Sequence, residues 1–296
     1  MNKDVVLTIG FFDGVHLGHK KILEYLVDYA TRNNVECGVV TFDKVSKIKQ
    51  GLICTLEQKI KKIKFFGIKK VIVCKFDEIK NFSSKKFFDE ILLSKISKKV
   101  RAIIVGQDFR FGYNRQGSVK TLAHLCKKNG ITLIVLNDVC TKIGNRYQKI
   151  SSTIIRESIV NGNYDLVERL LGEKYFISGK IVKGYGIGKT LKVPTINFLP
   201  DKNLVLPRGV IAGECKLGKN VYPAVADIGY SPTIKNTKEI TCEVHILQKN
   251  FIQNKNIFFR PIKKIRDEKK FPNINLLKKF MYNDIKLAKK YLQEYN

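Results

Sequence analysis

Apolar positions along this chain follow two different rhythms. Up to about residue 172, short β-rich runs alternate with stretches whose apolar residues recur every three or four positions. The runs are VVLTIGF, ECGVVTF, KKVIVCKF, RAIIVG and TLIVL. Between the first two, Ile22, Leu23, Leu26, Val27 and Ala30 share one helical face. LEQKIKKIKFFG, SKKFFDEILLSKI and VKTLAHLCKKNG read as further amphipathic helices, the first and last ending at glycine. Apolar strands alternating with such helices predict a parallel sheet covered on both faces. Two more helices, over 153–160 and 164–171, close this region, with Gly162 and Gly172 as their stops.

Beyond residue 173 the rhythm changes to short strands and turns: YFISGKIVKG, TINFLP, GVIAGECKLG, VYPAVADIGY, ITCEVHILQ and NIFFRPIKKIR. Strands at this spacing predict a small antiparallel barrel. A single helix ends the chain, striped by Leu276, Leu277, Phe280, Met281, Ile285, Ala288 and Leu292. All seven prolines lie from Pro194 onward, which supports a change of architecture. The expected domains are 1–172, an α/β parallel sheet, and 173–296, a smaller antiparallel β-barrel with a C-terminal helix.

Composition narrows the class. The 296 residues suffice for two cores. No apolar stretch reaches the roughly 18–20 residues of a bilayer span. MNKDVVLTIG runs straight into a strand pattern without the layout of a signal peptide. The seven cysteines, Cys37, Cys54, Cys74, Cys126, Cys140, Cys215 and Cys242, form no CxxC pair. We therefore expect reduced thiols, a cytoplasmic location and no membrane partner. The net charge of +29 is spread over the whole chain rather than gathered into a patch. Without RNP-type aromatics or zinc-finger spacing, it reads as solvated surface that helps attract anionic nucleotides, and no specific nucleic-acid partner is expected.

Candidate chemistry begins with GFFDGVHLGH, residues 10–19, which holds two of the four histidines. The stretch follows an apolar strand and leads into a helix near Gly18, so His16 and His19 fall one helical turn apart at a strand-to-helix junction. The carboxyl end of a parallel strand is where ligands bind, and a helix N-terminus attracts phosphate. Gly10 and Gly14 allow close backbone approach. Two imidazoles there can donate to phosphoryl oxygens as charge builds. HLGH lacks the glutamate of HExxH, and a zinc site would need more ligands than this stretch offers. In ISSTIIR (150–156), Ser151 or Ser152 can cap a helix and Arg156 lies one turn in, an arrangement that presents hydroxyls, N–H groups and a guanidinium to an anion.

These residues resemble the HIGH-type nucleotidyltransferases, and more narrowly the bacterial bifunctional riboflavin kinase/FAD synthetase family. GxFDGVHxGH matches its signature, VGQDFRFG (105–112) its GxDFRFG segment, and ISSTIIR its SSTxIR segment. The resemblance runs through nearly the full length in order. It implies a Rossmann-like first domain in which Gly10, Phe11, Asp13, Gly14, Ser151, Ser152 and Thr153 bind the nucleotide phosphates. His16, His19 and Arg156 would be catalytic, and Asp108, Phe109 and Arg110 would line the flavin pocket. After TFDKVSK (41–47) keeps Phe42 and Asp43, the family's Pro-His-Pro is missing.

GYGIGKTLKVPTIN (184–197) is neither a Walker A loop, being one residue short, nor a GxGxxG fingerprint. Val193-Pro194 also argues against the helix a P-loop must open. What remains is a glycine-rich turn before a strand on which Thr195 and Asn197 face the same way. PTIN resembles the PTAN motif of riboflavin kinases, and the turn resembles their phosphate-binding flap. The resemblance assigns Gly184, Gly186, Gly188 and Lys189 to ATP and Thr195 and Asn197 to Mg²⁺. Lys189 stands for a usual arginine and Lys192 for a usual glycine. In ITCEVHIL, alternation turns Cys242, Val244 and Ile246 inward and Glu243 and His245 outward. The family's ExH strand makes Glu243 the general base, and IRDEKKF (265–271) assigns Arg266 and Phe271 to the flavin pocket.

The expected function is phosphorylation of riboflavin to FMN and adenylylation of FMN to FAD, with ATP as co-substrate and Mg²⁺ as cofactor, by a monomer or weak homo-oligomer. The alternative is a HIGH-type nucleotidyltransferase acting alone, on FMN or another phosphorylated small molecule, beside an inactive second domain.

Overall fold

The computed structural model describes residues 4–45, 48, 50–184, 187–230, 240–248 and 256–295. The chain divides into two compact units, one of residues 1–49 and 54–152 and the other of 50–53 and 153–296.

The first unit is built on five parallel strands: β1 (Val5–Ile9), β2 (Glu36–Phe42), β3 (Lys70–Cys74), β4 (Val100–Gly106) and β5 (Thr132–Leu136). Their spatial order is β3-β2-β1-β4-β5, so the direction of winding reverses between β1 and β4. Alternate residues of β1 serve opposite faces. Val5, Leu7 and Ile9 enter one core with Val40, Ile103 and Val105, while Val6 enters the other with Val39, Ala102 and Ile104. This is the covered parallel sheet that the apolar runs predict. Helices α1 (Leu17–Arg32), α2 (Leu56–Phe65), α3 (Phe76–Ile79), α4 (Ser84–Phe87) and α5 (Val119–Lys128) follow or link the strands. On α1, Leu23, Leu26 and Ala30 are buried and Ile22 and Val27 pack against the same core. Each such leucine contributes about 1.5–3 kcal/mol. SKKFFDEILLSKI is not one uniform helix: α4 continues as a π-helical stretch, Phe88–Ser94. A small hairpin, β6 (Cys140–Ile143) with β7 (Arg146–Lys149), precedes α6 (Ser152–Val160).

In the second unit, α6 and α7 (Tyr164–Leu171) lead into six antiparallel strands: β8 (Ile177–Val182), β9 (Ile196–Pro200), β10 (Gly209–Leu217), β11 (Asn220–Tyr230), β12 (Ile240–Ile246) and β13 (Asn256–Arg266). They close into a barrel in the order β10-β11-β12-β9-β8-β13. The short helix α8 (Ile187–Thr190) forms within the glycine-rich turn and stops before Val193. The C-terminal helix α9 (Ile274–Tyr295) packs Ala288 and Leu292 against Val210, Ala212, Val225 and Ile262 of the barrel. Among the described residues, no helix is long and apolar enough to cross a membrane.

Candidate functional site

The signature turn leaves β1 at the point where the winding of the sheet reverses, the usual ligand crevice of an open α/β sheet. Its backbone is bent sharply: Phe12 and Val15 hold φ of 55° and 49°, and Gly14 holds 77°. Residues with a Cβ resist that conformation, so the surroundings must hold it. They do so at nearly every residue. Gly10 N donates to Val40 O at 3.1 Å. Phe11 O accepts from Thr41 Oγ1 at 3.1 Å and from Lys59 Nζ at 2.9 Å. Asp13 Oδ1 accepts from Cys54 N, and Gly14 N donates to Cys54 Sγ at 3.3 Å. Ser152 Oγ donates to Asp13 O at 3.1 Å, which joins the ISST segment to the histidine turn.

This bracing sets the histidines. His16 caps α1, its Nδ1 accepting from His19 N at 3.4 Å. An accepting Nδ1 places the ring proton on Nε2. The two rings stack with centroids 3.6 Å apart, and Phe12 meets His19 edge-on at 5.2 Å. His19 Nδ1 is buried and has no hydrogen-bond partner among the described residues. Burial, with the nearby His16, Lys59 and Lys149, holds the His19 pKa well below the usual imidazole range, so the ring is neutral at pH 7. A stacked pair at a helix N-terminus, with the His19 ring neutral, can donate to phosphoryl oxygens.

The other residues of this region take different places. Ser151 and Thr153 flank the start of α6 at Ser152. Arg156 is buried on the same helix, its Nε donating to Gly51 O at 2.9 Å in the second unit. Asp108 pairs with Lys149 at 2.5 Å, and Lys149 also reaches Asp138 at 2.7 Å. Phe109 stacks on the buried Phe111 with centroids 5.5 Å apart, while Arg110 is exposed. Asp43 accepts from the N–H groups of Lys44 and Phe76, which fixes it at the start of α3.

In the barrel, register builds the second cluster. Asn197 lies opposite Glu243, and Glu243 lies opposite Asp227, so the three form one row across β9, β12 and β11. Solvent reaches both carboxylates, yet the surrounding protein desolvates them. Desolvation, then the charge of Asp227, raises the Glu243 pKa; desolvation lifts Asp227 to about 6. Asn197 Nδ2 and Thr195 Oγ1 lie 3.5 Å apart. A Cβ on Gly184 would land on the Asn197 amide, so the backbone can pass there only as glycine. Thr195 and Asn197 are hard oxygen donors of the kind Mg²⁺ takes with substrate phosphates, and they fit that ion. His245 Nδ1 lies 2.8 Å from Pro194 O and anchors the PTIN segment. Gly188 belongs to α8 and packs against Thr195. Gly186 and the side chain of Lys189 lie outside the described residues. Lys192 holds φ of 63°, the left-handed conformation that a glycine would adopt without strain.

Arg266 makes a bidentate pair with the buried Asp284 of α9, at 2.8–3.2 Å, and its guanidinium lies 5.6 Å from the Phe271 ring. Phe271 in turn packs on Phe280. The sequence reading did not anticipate Lys59, Cys54, Asp227 or Asp284. Lys59 and Asp284 look like ordinary charged positions on amphipathic helices, and only their distant partners distinguish them.

A parallel sheet with a stacked histidine pair at its switch point, followed by a closed barrel with a Thr/Asn/Glu cluster, fits a two-module enzyme of nucleotidyl and phosphoryl transfer. Comparison divides the chain the same way: the family model for FAD synthetase matches residues 1–154 and that for riboflavin kinase matches 171–292. The chain belongs to the family of bifunctional riboflavin kinase/FMN adenylyltransferases. Relatives of that name are 34% identical in Buchnera aphidicola subsp. Acyrthosiphon pisum, over 98% of this chain and 94% of the relative. In Bacillus subtilis the identity is 33%, over 97% and 92%, and in Escherichia coli K12 it is 30%, over 97% and 92%. The crystal structure of a macrolide-efflux protein from Streptococcus pneumoniae superimposes with a TM-score of 0.80 over 98% of this chain and 95% of that one. At 24% identity that likeness is one of fold.

Proposed function

We propose that residues 1–172 transfer the adenylyl group of ATP to FMN and that residues 173–296 phosphorylate riboflavin. In the first reaction a terminal phosphate oxygen of FMN attacks the α-phosphorus of ATP and pyrophosphate leaves. The nucleophile is already anionic, so the protein supplies alignment and charge stabilisation rather than a base. His16 and His19 donate to the phosphoryl oxygens. Ser151, Ser152, Thr153 and Arg156 hold the triphosphate, beside Gly10, Phe11, Asp13 and Gly14 of the turn. Asp108, Phe109 and Arg110 line the flavin side.

In the second reaction the ribityl 5′-hydroxyl must lose a proton. Glu243 accepts it as the oxygen attacks the γ-phosphorus and ADP leaves. Gly184, Gly186, Gly188 and Lys189 cover the phosphates, and Phe271 shapes the flavin pocket with Arg266 behind it. Mg²⁺, held by Thr195 and Asn197, neutralises phosphate charge when bound. The partners of the chain on this reading are riboflavin, FMN and ATP, in the cytoplasm.

The observation that carries the reading is the stacked His16–His19 pair at the switch point, tied through Asp13 to Ser152. The test is to incubate the purified protein with riboflavin, ATP and Mg²⁺ and to follow the flavins by chromatography. FMN followed by FAD is expected. FAD from added FMN alone would mean an inactive barrel, and no FAD from FMN would refute the adenylyl-transfer site.

A further inference from the structure

Lys59 is a lysine almost wholly enclosed, 3% exposed, on the second turn of α2. Its ammonium donates to two backbone carbonyls: Phe11 O at 2.9 Å, inside the signature turn, and Phe42 O at 2.7 Å, at the end of β2. It also sits over the Phe11 ring, 4.1 Å from the centroid. The sequence places it there through a capping box. Thr55 and Gln58 exchange hydrogen bonds at the start of α2, which fixes the helix phase and turns Lys59 inward. One turn further, Lys62 Nζ reaches Gly14 O at 3.5 Å.

Burying an ammonium without an ion pair is costly, and a methionine of similar length would fill the space more cheaply. Burial lowers the Lys59 pKa to about 8, against the opposing pull of Cys54, Asp13 and Asp43. At pH 7 the group is therefore still charged. Burial first, then the charges of His16, Lys59 and Lys149, lower the His19 pKa.

We infer that Lys59 is a positioning residue for adenylyl transfer: it straps the signature turn, which presents the histidine pair, to the end of β2. The inference deepens the proposed adenylyl-transfer reading and rests on it. Two effects follow from one group. The strap holds the left-handed residues Phe12 and Val15 where backbone and rings meet the phosphates. The fixed charge makes protonation of His19 harder, so that ring donates without being protonated itself.

The test uses the full chain with two variants. Lys59→Met removes strap and charge, whereas Thr41→Val removes the second donor to Phe11 O and leaves the charge. Displacing a reacting geometry by about 1 Å costs on the order of 10²-fold. In FMN-to-FAD assays Lys59→Met should lower kcat on that order, with KM for ATP changed much less. The acid limb of its pH–rate profile should move to higher pH, because His19 then protonates more readily. Thr41→Val should lower kcat to a smaller degree and leave the acid limb where it is. Riboflavin-to-FMN turnover in the same samples should match wild type. A Lys59→Met protein with wild-type kcat, or with reduced kcat and an unmoved acid limb, overturns the inference. If Lys59→Met shows no cooperative melting, Thr41→Val decides, and a wild-type kcat there overturns it. A wild-type chain that makes no FAD from FMN refutes the underlying reading instead.

Discussion

Asp227 and Glu243 are register partners on β11 and β12, two carboxylates side by side on one face of the barrel. The Asp227 charge adds to desolvation in raising the Glu243 pKa. A general base must be ionised, so phosphorylation falls as pH drops through the Glu243 pKa. Asp227→Asn removes one cause of the rise. The acid limb of riboflavin-to-FMN turnover should then move to lower pH, and rates measured across pH 4–8 check it.

The two clusters lie in separate units, so their chemistry should separate by mutation. His16→Ala should lower FAD formation about 10²–10³-fold, the usual loss for one oxyanion donor, and leave FMN formation intact. Glu243→Gln should lower FMN formation about 10²-fold or more and leave FMN-to-FAD conversion intact. Parallel chromatographic assays decide; loss of both products in either variant contradicts two independent sites.

Lys192 occupies the left-handed region at φ 63°, where a Cβ costs roughly 1–2 kcal/mol. Lys192→Gly relieves that strain, though glycine's freedom in the unfolded chain offsets part of the gain. The variant should be more stable by about 0.5–1 kcal/mol in urea unfolding. Lys192→Ala, which keeps the Cβ, should gain nothing.

Arg260 is 5% exposed and binds Glu168 at 2.5–2.7 Å, Glu214 at 3.0 Å and the Tyr295 hydroxyl at 3.1 Å. It ties α7 and α9 to the barrel wall. Arg260→Met takes the guanidinium from two half-buried carboxylates, leaving Glu168 the Tyr175 N–H and Glu214 the Lys174 ammonium at 3.9 Å, which costs about 3 kcal/mol. A fall in melting temperature of the second unit is the expected readout.

The elements were largely legible because their periodicity is clean. All five sheet strands and all six barrel strands coincide with the apolar runs, since each buries one or both faces. The β6–β7 hairpin was not anticipated, because Cys140–Ile143 and Arg146–Lys149 carry no apolar alternation. The π-helical turn at Phe88–Ser94 was also hidden: FFDEILL satisfies a helical period without revealing the extra residue. At the sites, the signature histidines and the PTIN strand announce themselves by local spacing. Lys59, Asp284 and Asp227 act through partners 17 to 48, 18 and 16 positions away, respectively, and such pairings are set by tertiary packing. That Lys192 stands where the resembling family has glycine is legible in the sequence, and its positive φ shows what a glycine would serve there.

The barrel closes on itself, so every one of its strands has two neighbours. The open sheet does not: β3 and β5 form its rims, each with one side unpaired within that sheet. Strand exchange between copies at high concentration therefore has its foothold on the sheet rather than on the barrel. At the head of β3 stand Lys69 and Lys70, charges of the kind that discourage a second chain from docking there.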